Sequence, residues 1–408
     1  MSNLTTNDAA IQRESSVGNS EASSIQINSG VNRRTFLAAM GLGGAVLALS
    51  PLHLHSVFKG APENSLLCVG SYGATDAGTL HLLQIAHGRA RLLAAQSSDR
   101  PSAIVRHPSR NLLYVANDVS RYQHKPRGTV ETFAVDEEHG TLALVGRQPL
   151  SLSAARPRSL AISPNGDMLV VAAFVGGAYN VLPIDASGLP SAPASILKQV
   201  GHGEHPTEQA SAHPSHVLFH PGKEVAFAAD YGSDRLDMLA CGSGNPNLAN
   251  MRVANRIPCL AGSGPSQIAI HPDGEFLVTS HALHPALTAF RISSELKLVA
   301  TSHMPLHLAP TAICFSCEGN IFFAAHKRGT QPALLTAWSI DPQTGVLKRA
   351  SEIALPASEV TSMHSANSTL WLASDCGILA VELSRKTRMP SGTARVSAIR
   401  NVRSMVRV

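Results

Sequence analysis

The sequence predicts an all-β protein, a seven-bladed β-propeller closed by its C-terminal strand. Two observations carry this prediction: a gap-free repeat of 18 residues occurs six times, and no long helical periodicity follows residue 63. The six copies are residues 101–118, 157–174, 214–231, 265–282, 310–327 and 358–375. A β-sandwich, or two separate β-domains, is the alternative, but neither of them predicts a repeat without gaps.

Each copy of the repeat has the pattern of a β-hairpin, as in "PSQIAIHPDGEFLVTSHA" (265–282). An alternating apolar run leads into a turn, usually a His-Pro or Ser-Pro pair with Gly or Asn nearby, and a more continuously apolar run follows. Pro fixes φ in such a turn, whereas Gly and Asn tolerate the left-handed backbone conformation. The apolar second run is typical of a strand that neighbouring sheets cover on both faces.

Further apolar stretches after the hairpins predict a third and a fourth strand in the repeat. Third strands are predicted at 128–136, 235–241 and 286–292, and fourth strands at 142–150, 296–304 and 347–355. Four strands per unit at a spacing of about fifty residues are typical of propeller blades.

The seventh unit is predicted to be split between the two ends of the chain. Residues 66–72 match the second strand of the repeat and residues 79–85 supply a third, but a first strand is missing. The strand-like segment 402–408 is expected to take its place as the innermost strand. Such closure removes sheet edges that would otherwise be exposed.

The N-terminal region differs in composition from the rest of the chain. Residues 1–32 are rich in Ser, Thr, Asn and Gln and poor in large apolar residues, which predicts a disordered segment. In residues 33–62, the pair Arg33-Arg34 precedes an apolar run that ends near Pro51 and is short for a membrane span. This pattern predicts a twin-arginine export signal followed by a linker.

Cleavage of the signal is expected somewhere in 48–62, and the alternatives are an uncleaved N-terminal anchor or a chance pair of arginines. The folding domain is therefore expected to be 63–408, a monomeric propeller that reaches the periplasm through the twin-arginine translocation machinery. No stable membrane span is expected in the processed protein.

Composition and motifs narrow the range of functions. A formal net charge of +5 is spread thinly over 408 residues without a Lys/Arg run, so no nucleic-acid role is expected. No Gly-rich phosphate loop, dinucleotide fingerprint or serine-hydrolase elbow occurs, so no cofactor is predicted. The His-rich segment 201–221 lacks the spacing typical of zinc-protease ligands, and no metal is predicted there.

The cysteines leave one disulfide open. Cys241 and Cys259 could bond in an oxidising compartment, although spacing alone does not fix the pairing. Cys314 and Cys317 form a CxxC that is expected on a strand running into a turn, as buried free thiols.

Several segments resemble the lactonase-type seven-bladed propellers, the group that contains bacterial propeller 6-phosphogluconolactonase and fungal carboxy-muconate lactonizing enzyme. The closest matches are "VGSYG" (69–73), "NDVS" (117–120), "AADYGSDRL" (228–236) and "GPSQIAIHPDGEFLV" (264–278). The resemblance covers residues 65–408. It implies lactone hydrolysis by a His, two Arg and a Glu around the mouth of the central channel.

The chemistry that the resemblance implies has a physical basis. Ring opening develops negative charge on the carbonyl oxygen, which Arg can stabilise, and a His or Glu must move a proton. By local motif, the family's second His falls on Ser215, with His216 one place along. One Arg falls on Ser266 and the Glu on Ala282, so both groups are replaced, whereas the second Arg is retained as Arg328.

Candidate site residues follow from these matches and from the neighbouring blade-end loops. The predicted catalytic residues are Arg328, as the oxyanion stabiliser, and His216 or His281, as the base. The predicted substrate contacts are His213, Arg158, His326 and Asp118.

Two further sets of polar residues are predicted to be structural. The first set ties blade corners together and comprises Asp230, Asp234 and Arg235. The second shares one turn position of the repeat and comprises His107, His220 and His271.

The sequence therefore predicts an exported, lactonase-like hydrolase that opens a sugar or related lactone. The replacements at Ser266 and Ala282 leave a second function open, a non-catalytic propeller that binds a small ligand or a protein partner. A metal- or redox-linked periplasmic protein is the third alternative.

Overall fold

The computed structural model describes residues 65–241 and 250–408, and these ranges contain 28 β-strands and no named α-helix. Within them, no helix is long and apolar enough to cross a membrane. The segments predicted as a disordered region (1–32) and an export signal with linker (33–62) lie outside the described residues.

The strands form seven four-stranded antiparallel sheets. The first eleven strands are β1 (Ser65–Tyr72), β2 (Gly78–Ala86), β3 (Arg89–Ser97), β4 (Pro101–Arg106), β5 (Leu112–Asn117), β6 (Thr129–Asp136), β7 (Thr141–Pro149), β8 (Pro157–Ile162), β9 (Met168–Ala173), β10 (Ala178–Pro183) and β11 (Ser195–Lys198). The next eight are β12 (Pro214–Phe219), β13 (Val225–Asp230), β14 (Arg235–Cys241), β15 (Met251–Pro258), β16 (Pro265–Ile270), β17 (Phe276–His281), β18 (Ala286–Ile292) and β19 (Leu298–Pro305). The last nine are β20 (Pro310–Phe315), β21 (Ile321–Arg328), β22 (Gln331–Ile340), β23 (Leu347–Ala354), β24 (Val360–Ala366), β25 (Thr369–Ser374), β26 (Gly377–Leu383), β27 (Pro390–Ser397) and β28 (Val402–Arg407).

The C-terminal strand completes the first sheet, whose strand order is β28-β1-β2-β3. β28 runs antiparallel to β1 with Leu67 opposite Arg407, and Val408 donates its backbone N–H to the carbonyl of Leu66 at 3.0 Å. The predicted insertion of segment 402–408 as the innermost strand is therefore confirmed. The chain closes on itself, so the first blade is built from both ends of the described domain.

The innermost strands of the seven sheets form a closed ring. They are β28, β4, β8, β12, β16, β20 and β24, and each lies beside the innermost strands of the two adjacent sheets. This arrangement confirms the seven-bladed propeller and excludes a sandwich of two stacked sheets. A channel runs along the axis between the seven inner strands.

The apolar core lies between adjacent blades. Every residue of the second strands β9, β13, β17 and β25 is buried, as the continuous apolar runs in the sequence predict. The cluster around Phe323, Leu335 and Leu372, for example, joins the sixth blade to the seventh. Each large apolar side chain buried in this way contributes about 1.5–3 kcal/mol to folding.

A β-bulge near the start of each inner strand turns one side chain toward the channel. The residues that the ladder skips are Ser102, Arg158, Ser215, Ser266, Thr311, Thr361 and Arg403. A bulge leaves one residue unpaired and re-aims its side chain. All seven skipped residues line the channel, so one backbone feature presents one side chain per blade to the lumen.

The turns at the opposite end of the blades are joined by the predicted structural histidines. His220 donates from Nε2 to the carbonyl of Gly274 at 3.1 Å, and His271 donates to that of Gly319 at 3.0 Å, each in the next blade. Gly319 has a φ of +78°, and a Cβ there would collide with the His271 ring. The structural role of these two histidines is confirmed.

The disulfide that the sequence left open does not form, because Cys241 and Cys259 are both free thiols. The cysteines of the CxxC are free thiols as predicted, but Cys317 is exposed and not buried. Cys241 is the last residue of β14, opposite Met251, whereas Cys259 donates its backbone N–H to Asp234, just before the start of the same strand. The two sulfurs therefore belong to opposite ends of one blade.

Candidate active site at the channel mouth

The channel has a volume of about 880 Å³. Its charged lining residues lie mainly at the end where the seven bulges are. We call this end the mouth. Residues that end or follow the second strands surround it, namely Tyr72, Asp118, Phe174, Tyr231 and Ala282. The bulged residues and these blade-end residues together provide the functional groups of the candidate site.

Arg158 is the uncommitted cation of the mouth. Its guanidinium carbon lies 3.5 Å from the centroid of the Phe174 ring, and it has no hydrogen bond or ion pair to any of the described residues. The Arg158 side chain is exposed to the channel. The protein atoms around it exclude enough solvent to lower the pKa of the guanidinium, and the negative charge of Asp118 opposes that shift. Arginine stays protonated under such conditions. Arg158 therefore presents a fixed positive charge to the lumen.

The Phe174 ring also stacks on His213, with centroids 4.7 Å apart and planes at 14°. His213 donates from Nδ1 to the carbonyl of Phe174 at 3.0 Å. The predicted substrate contact His213 is not among the residues that line the channel. The structure places it behind Phe174, where it helps to hold the ring on which Arg158 rests.

Glu208 is the uncommitted carboxylate of the mouth. It is exposed, accepts a hydrogen bond from the Tyr231 hydroxyl at 3.2 Å, and has no cationic partner in the described ranges. Its neighbour Gln209 is fully buried and donates to the carbonyl of Tyr231 at 2.8 Å and to Asp234 at 2.7 Å. These bonds anchor the loop that carries Glu208.

Tyr231 links the carboxylate to the cation. Its ring centroid lies 5.8 Å from that of Phe174, the ring beneath Arg158. Burial and the negative charge of Glu208 raise the pKa of Tyr231 to about 12, so its hydroxyl stays protonated and donates to Glu208. Glu208 and Arg158 thus flank the same pair of aromatic rings.

The other charged groups of the mouth are paired with one another. Asp118, a predicted substrate contact, does line the channel, but it is 5% exposed and its carboxylate contacts Arg156 at 2.5 Å and Arg100 at 3.5 Å. Both guanidinium groups are thereby committed to Asp118. Its role in the structure is to fix the wall beside Arg158.

Arg403 is a second arginine on the lumen, supplied by the closing strand β28. Its guanidinium lies 3.4 Å from Glu359, which also contacts Lys327 at 3.6 Å. Arg403 lies 5.8 Å from the Tyr72 ring as well. This network spans the sixth, seventh and first blades and sets two cations against one carboxylate.

Among the described residues, no charged side chain of the fifth or sixth blade lines the channel. The two replaced family positions, Ser266 and Ala282, both line the channel there. The Ser266 hydroxyl is bonded to the carbonyl and hydroxyl of Ser280 at 3.3 and 3.0 Å, and that of Thr311 donates to the carbonyl of Ala325 at 3.3 Å. The polar groups of this sector are thus largely used within their own blades.

His216, a predicted base, lines the channel, and its ring accepts a hydrogen bond that links two adjacent blades. Its Nδ1 accepts the backbone N–H of Ile268 from the next blade at 3.4 Å. Ser159 and Gln267 occupy the matching places in the adjacent inner strands and accept N–H groups in the same way, at 3.1 and 3.3 Å. Burial lowers the pKa of His216 to about 4, so the ring is neutral at neutral pH.

His281 and His326 lie inside their sheets and not on the channel wall, so their predicted site roles stay predictions that this geometry does not favour. They are 1% and 3% exposed, and neither lines the channel. Each ring hydrogen-bonds through Nε2 to a threonine of the third strand at 2.9 Å, Thr288 or Thr336. Each histidine pairs with the first residue of the inner strand of its blade. Its ring is buried there and hydrogen-bonds within its own sheet.

Arg328, the retained family arginine, lies at the tip of the hairpin between β21 and β22, opposite Gln331. It is partly exposed and does not belong to the residues that line the channel. The cation that faces the lumen is therefore Arg158, from a different blade. Arg328 as oxyanion stabiliser stays a prediction that this geometry does not favour.

The predicted structural roles of the Asp–Arg group are confirmed. Asp230 contacts Arg235 at 3.1 Å and accepts the backbone N–H of His213 at 2.7 Å. Asp234 accepts the N–H groups of Gly262 and Gly264 at 2.7 and 2.8 Å, which ties its blade to the loop entering the next.

Sequence reasoning missed Glu208, Tyr231 and Arg403. A signal for Arg403 was available, because it is the second residue of an inner strand, the place that Arg158 and Ser266 hold in theirs. No comparable signal marks Glu208, whose position depends on a long irregular loop. Across the described ranges, no three His, Cys, Asp or Glu side chains group as a metal site would require.

Replacing His216 by Gln should make the fold less sensitive to acid. The lowered pKa means that the unfolded chain binds more protons than the native one between about pH 6.5 and 4, so stability is full above that window and falls as the pH drops through it. The effect amounts to about 2 kcal/mol between pH 7 and 4.5. Gln can accept the Ile268 N–H, as Gln267 does for Ile313.

Urea unfolding at pH 7 and 4.5 measures this difference. The loss on acidification should be smaller in His216→Gln than in the wild type, although other buried histidines also contribute. An equal loss in both proteins would contradict the role given to His216.

Comparison with known proteins supports a single family. The chain is 23% identical over 342 residues to 6-phosphogluconolactonase of Pectobacterium atrosepticum, covering 73% of this chain and 95% of that protein. It is 24% identical over 290 residues to 6-phosphogluconolactonase of Formosa agariphila, covering 69% and 80%. The solved structure of the Pseudomonas aeruginosa periplasmic gluconolactonase PpgL superposes with a TM-score of 0.75 at 19% identity, covering 85% of this chain and 99% of that one.

The family model described as "Lactonase, 7-bladed beta-propeller" matches residues 66–265 and 245–363. These matches span most of the described domain and confirm the resemblance seen in the sequence. The chain belongs to the lactonase family of seven-bladed β-propellers.

Proposed function

We propose that this protein is a lactonase that hydrolyses a sugar or related lactone at the channel mouth. The observation that supports this most strongly is the pair of uncommitted, opposite charges on Arg158 and Glu208, which flank the Phe174–Tyr231 rings. Lactone hydrolysis needs a cation for the oxyanion and a base for water. Family membership favours the same reaction.

Arg158 is the proposed oxyanion stabiliser. Attack on the lactone carbonyl converts its oxygen into an alkoxide, and a guanidinium that is already fixed in place stabilises that charge without reorganisation. The stack on Phe174 supplies the fixation, and the absence of a carboxylate partner among the described residues leaves the N–H donors available. Arg158 thus takes the role that the family motif placed on Ser266 or Arg328.

Glu208 is the proposed general base. Its carboxylate accepts a proton from water as the water oxygen bonds to the carbonyl carbon. The tetrahedral intermediate then collapses, the bond between the carbonyl carbon and the ring oxygen breaks, and the protonated Glu208 returns the proton to that oxygen. The product is a hydroxy acid, and Tyr231 keeps the carboxylate oriented throughout.

A non-catalytic binding propeller is the second candidate. The neutral side chains at Ser266 and Ala282, where the family pattern has Arg and Glu, favour it. It predicts ligand-dependent thermal shifts without turnover.

Arg158→Ala should lower kcat of lactone hydrolysis by about 10²–10³, the loss typical of removing one oxyanion-stabilising donor. Arg328→Ala is the matched control, because it removes an arginine of the same end of the molecule that does not line the channel. Its kcat should stay within about threefold of wild type. A titrimetric assay on a panel of sugar lactones, corrected for spontaneous hydrolysis, measures both.

Glu208→Gln extends the same assay to the base and should lower kcat by about 10²–10⁴. Unchanged melting temperatures would show that the variants are folded. Full activity of Arg158→Ala with loss of activity in Arg328→Ala would overturn the assignment of the cation. No turnover of any lactone by the wild type would favour the binding propeller.

We also propose that the protein is exported to the periplasm by the twin-arginine route. The Arg33-Arg34 pair ahead of an apolar run supports this, and a structural neighbour is a periplasmic enzyme. Replacing both arginines by Lys should leave the precursor in the cytoplasm, as cell fractionation and immunoblotting would show. Periplasmic mature protein from the doubly substituted chain would contradict this route.

A further inference from the structure

We propose that the face of the propeller around the mouth docks on a membrane whose surface carries anionic lipid headgroups. The docking surface belongs to loops of the second and third blades. It combines protruding apolar side chains with cations that have no carboxylate partner in the described ranges. The inference is separate from lactone hydrolysis and does not depend on it.

Three of the most exposed large apolar side chains lie in loops at the mouth end of the blades. Val200 is 80% exposed, Leu152 64% and Val175 57%. They belong to the connections between β11 and β12, β7 and β8, and β9 and β10. Inner strands begin and second strands end at the mouth, so all three connections lie on this face. We call the three residues the apolar rim.

The connections that carry the apolar rim contact one another. The N–H of Gln199 donates to the carbonyl of Gly177 at 2.8 Å, which joins the β11–β12 connection to the β9–β10 turn. That turn also packs against the β7–β8 connection, because a Cβ on Gly176 would lie 2.2 Å from the carbonyl oxygen of Ser153. The rim is therefore one surface, and apolar patches bordered by polar residues are typical of interaction sites.

A basic hairpin lies beside the apolar rim. It is the connection 118–128 between β5 and β6, and Gly128 donates its N–H to the carbonyl of Ala154 at 2.9 Å, in the β7–β8 connection. Its cations are Arg121, Lys125 and Arg127. None of the three forms an ion pair with a described residue, and the first two are exposed. The hairpin thus adds unpaired positive charge next to the exposed apolar side chains.

Cations without a partner outnumber exposed carboxylates in this sector. Lys198 is a fourth such cation, because its Nζ donates to the carbonyl of Gly176 and meets no described carboxylate. The carboxylates of the connections named above are Asp118, which is buried against two arginines, and the exposed Glu204 and Glu208. Glu208 lines the channel and so faces the axis. The surplus of positive charge favours an anionic partner.

An anionic bilayer fits this combination of groups. Apolar side chains that protrude from separate loops can enter the boundary between headgroups and acyl chains, while cations beside them are attracted to anionic lipids. The rim and the basic hairpin lie on one side of the channel only. Docking there leaves the mouth open to water on the side of the fifth to seventh blades.

Val200→Trp converts the most exposed rim residue into a reporter, because indole emission shifts to shorter wavelength when the ring leaves water. Vesicles of equal parts of phosphatidylcholine and phosphatidylglycerol should produce that shift in the full-length chain. Val299→Trp is the matched control, since Val299 is 58% exposed on the outer strand β19, and its emission should not shift. The native Trp338 and Trp371 are buried and contribute equally to both variants. Both variants also keep residues 33–62, so binding by that segment would not separate them.

Arg121→Gln combined with Lys125→Gln tests the charges of the hairpin. Loss of both cations should weaken partitioning onto the same vesicles by about tenfold or more, as vesicle sedimentation would measure. Arg385→Gln combined with Lys386→Gln is the matched control. These two exposed cations lie in the turn between β26 and β27, at the opposite end of the seventh blade, and their loss should leave partitioning unchanged.

Several results would overturn the proposal. No emission shift in Val200→Trp, or an equal shift in both Trp variants, would exclude the rim as the docking surface. Equal binding to vesicles of phosphatidylcholine alone would exclude the requirement for anionic headgroups. A shift that grows with protein concentration in the absence of vesicles would assign the rim to a second copy of this chain. Lactone turnover enters none of these measurements, so a protein without lactonase activity would leave the inference standing.

Discussion

The pairing of β28 with β1 is the contact on which the rest of the molecule depends. It joins the two ends of the described domain, so that the first blade has four strands and the ring of inner strands has no gap. Without it, β1 would present an open edge toward the axis, and the blades on either side would lose a neighbour. Ser404 also donates its hydroxyl to the carbonyl of Pro101 at 2.9 Å, which fastens the closing strand to the second blade.

The strand that closes the ring also contributes to the candidate site, because β28 places Arg403 at the mouth. Arg403 pairs with Glu359 of the seventh blade and lies over Tyr72 of the first. The bulge that aims Arg403 at the lumen is the same feature that aims Arg158 from the third blade. A skipped residue contributes little to the sheet ladder, so its side chain can change without loss of the blade. Propellers of this kind can therefore alter their sites by substitution at seven equivalent places.

Much of the fold could be predicted from the sequence, because strands and turns leave local patterns. The segments predicted as third strands at 235–241 and 286–292 coincide with β14 and β18. Closure by the C-terminus was predictable too, because one blade lacked an inner strand and the tail had a strand left over. The face of the sheet to which each side chain points follows from period-two alternation, without knowledge of distant contacts.

The site was harder to predict, because a side chain reaches the lumen only where a bulge or a blade-end loop turns it inward. His281 ends β17 and His326 lies near the end of β21, yet their side chains point into their own sheets and bond to threonine. Motif matching predicted Arg328 as the oxyanion stabiliser, although the uncommitted arginine that lines the channel is Arg158, from another blade. Glu208 depends on a loop anchored by one buried glutamine, and loops of that kind have no periodic signature.

Native-state hydrogen exchange of the C-terminal strand would show whether the ring is closed as described. If β28 is an integral inner strand, the amides of segment 402–408 that donate to β1, among them that of Val408, should exchange only through global unfolding, as slowly as those of the buried strand β25. The exchange rates of these amides should then fall as global stability rises when urea is removed. Exchange of the same amides at the rate of an exposed loop, independent of global stability, would contradict both the closed ring and the mouth that it shapes.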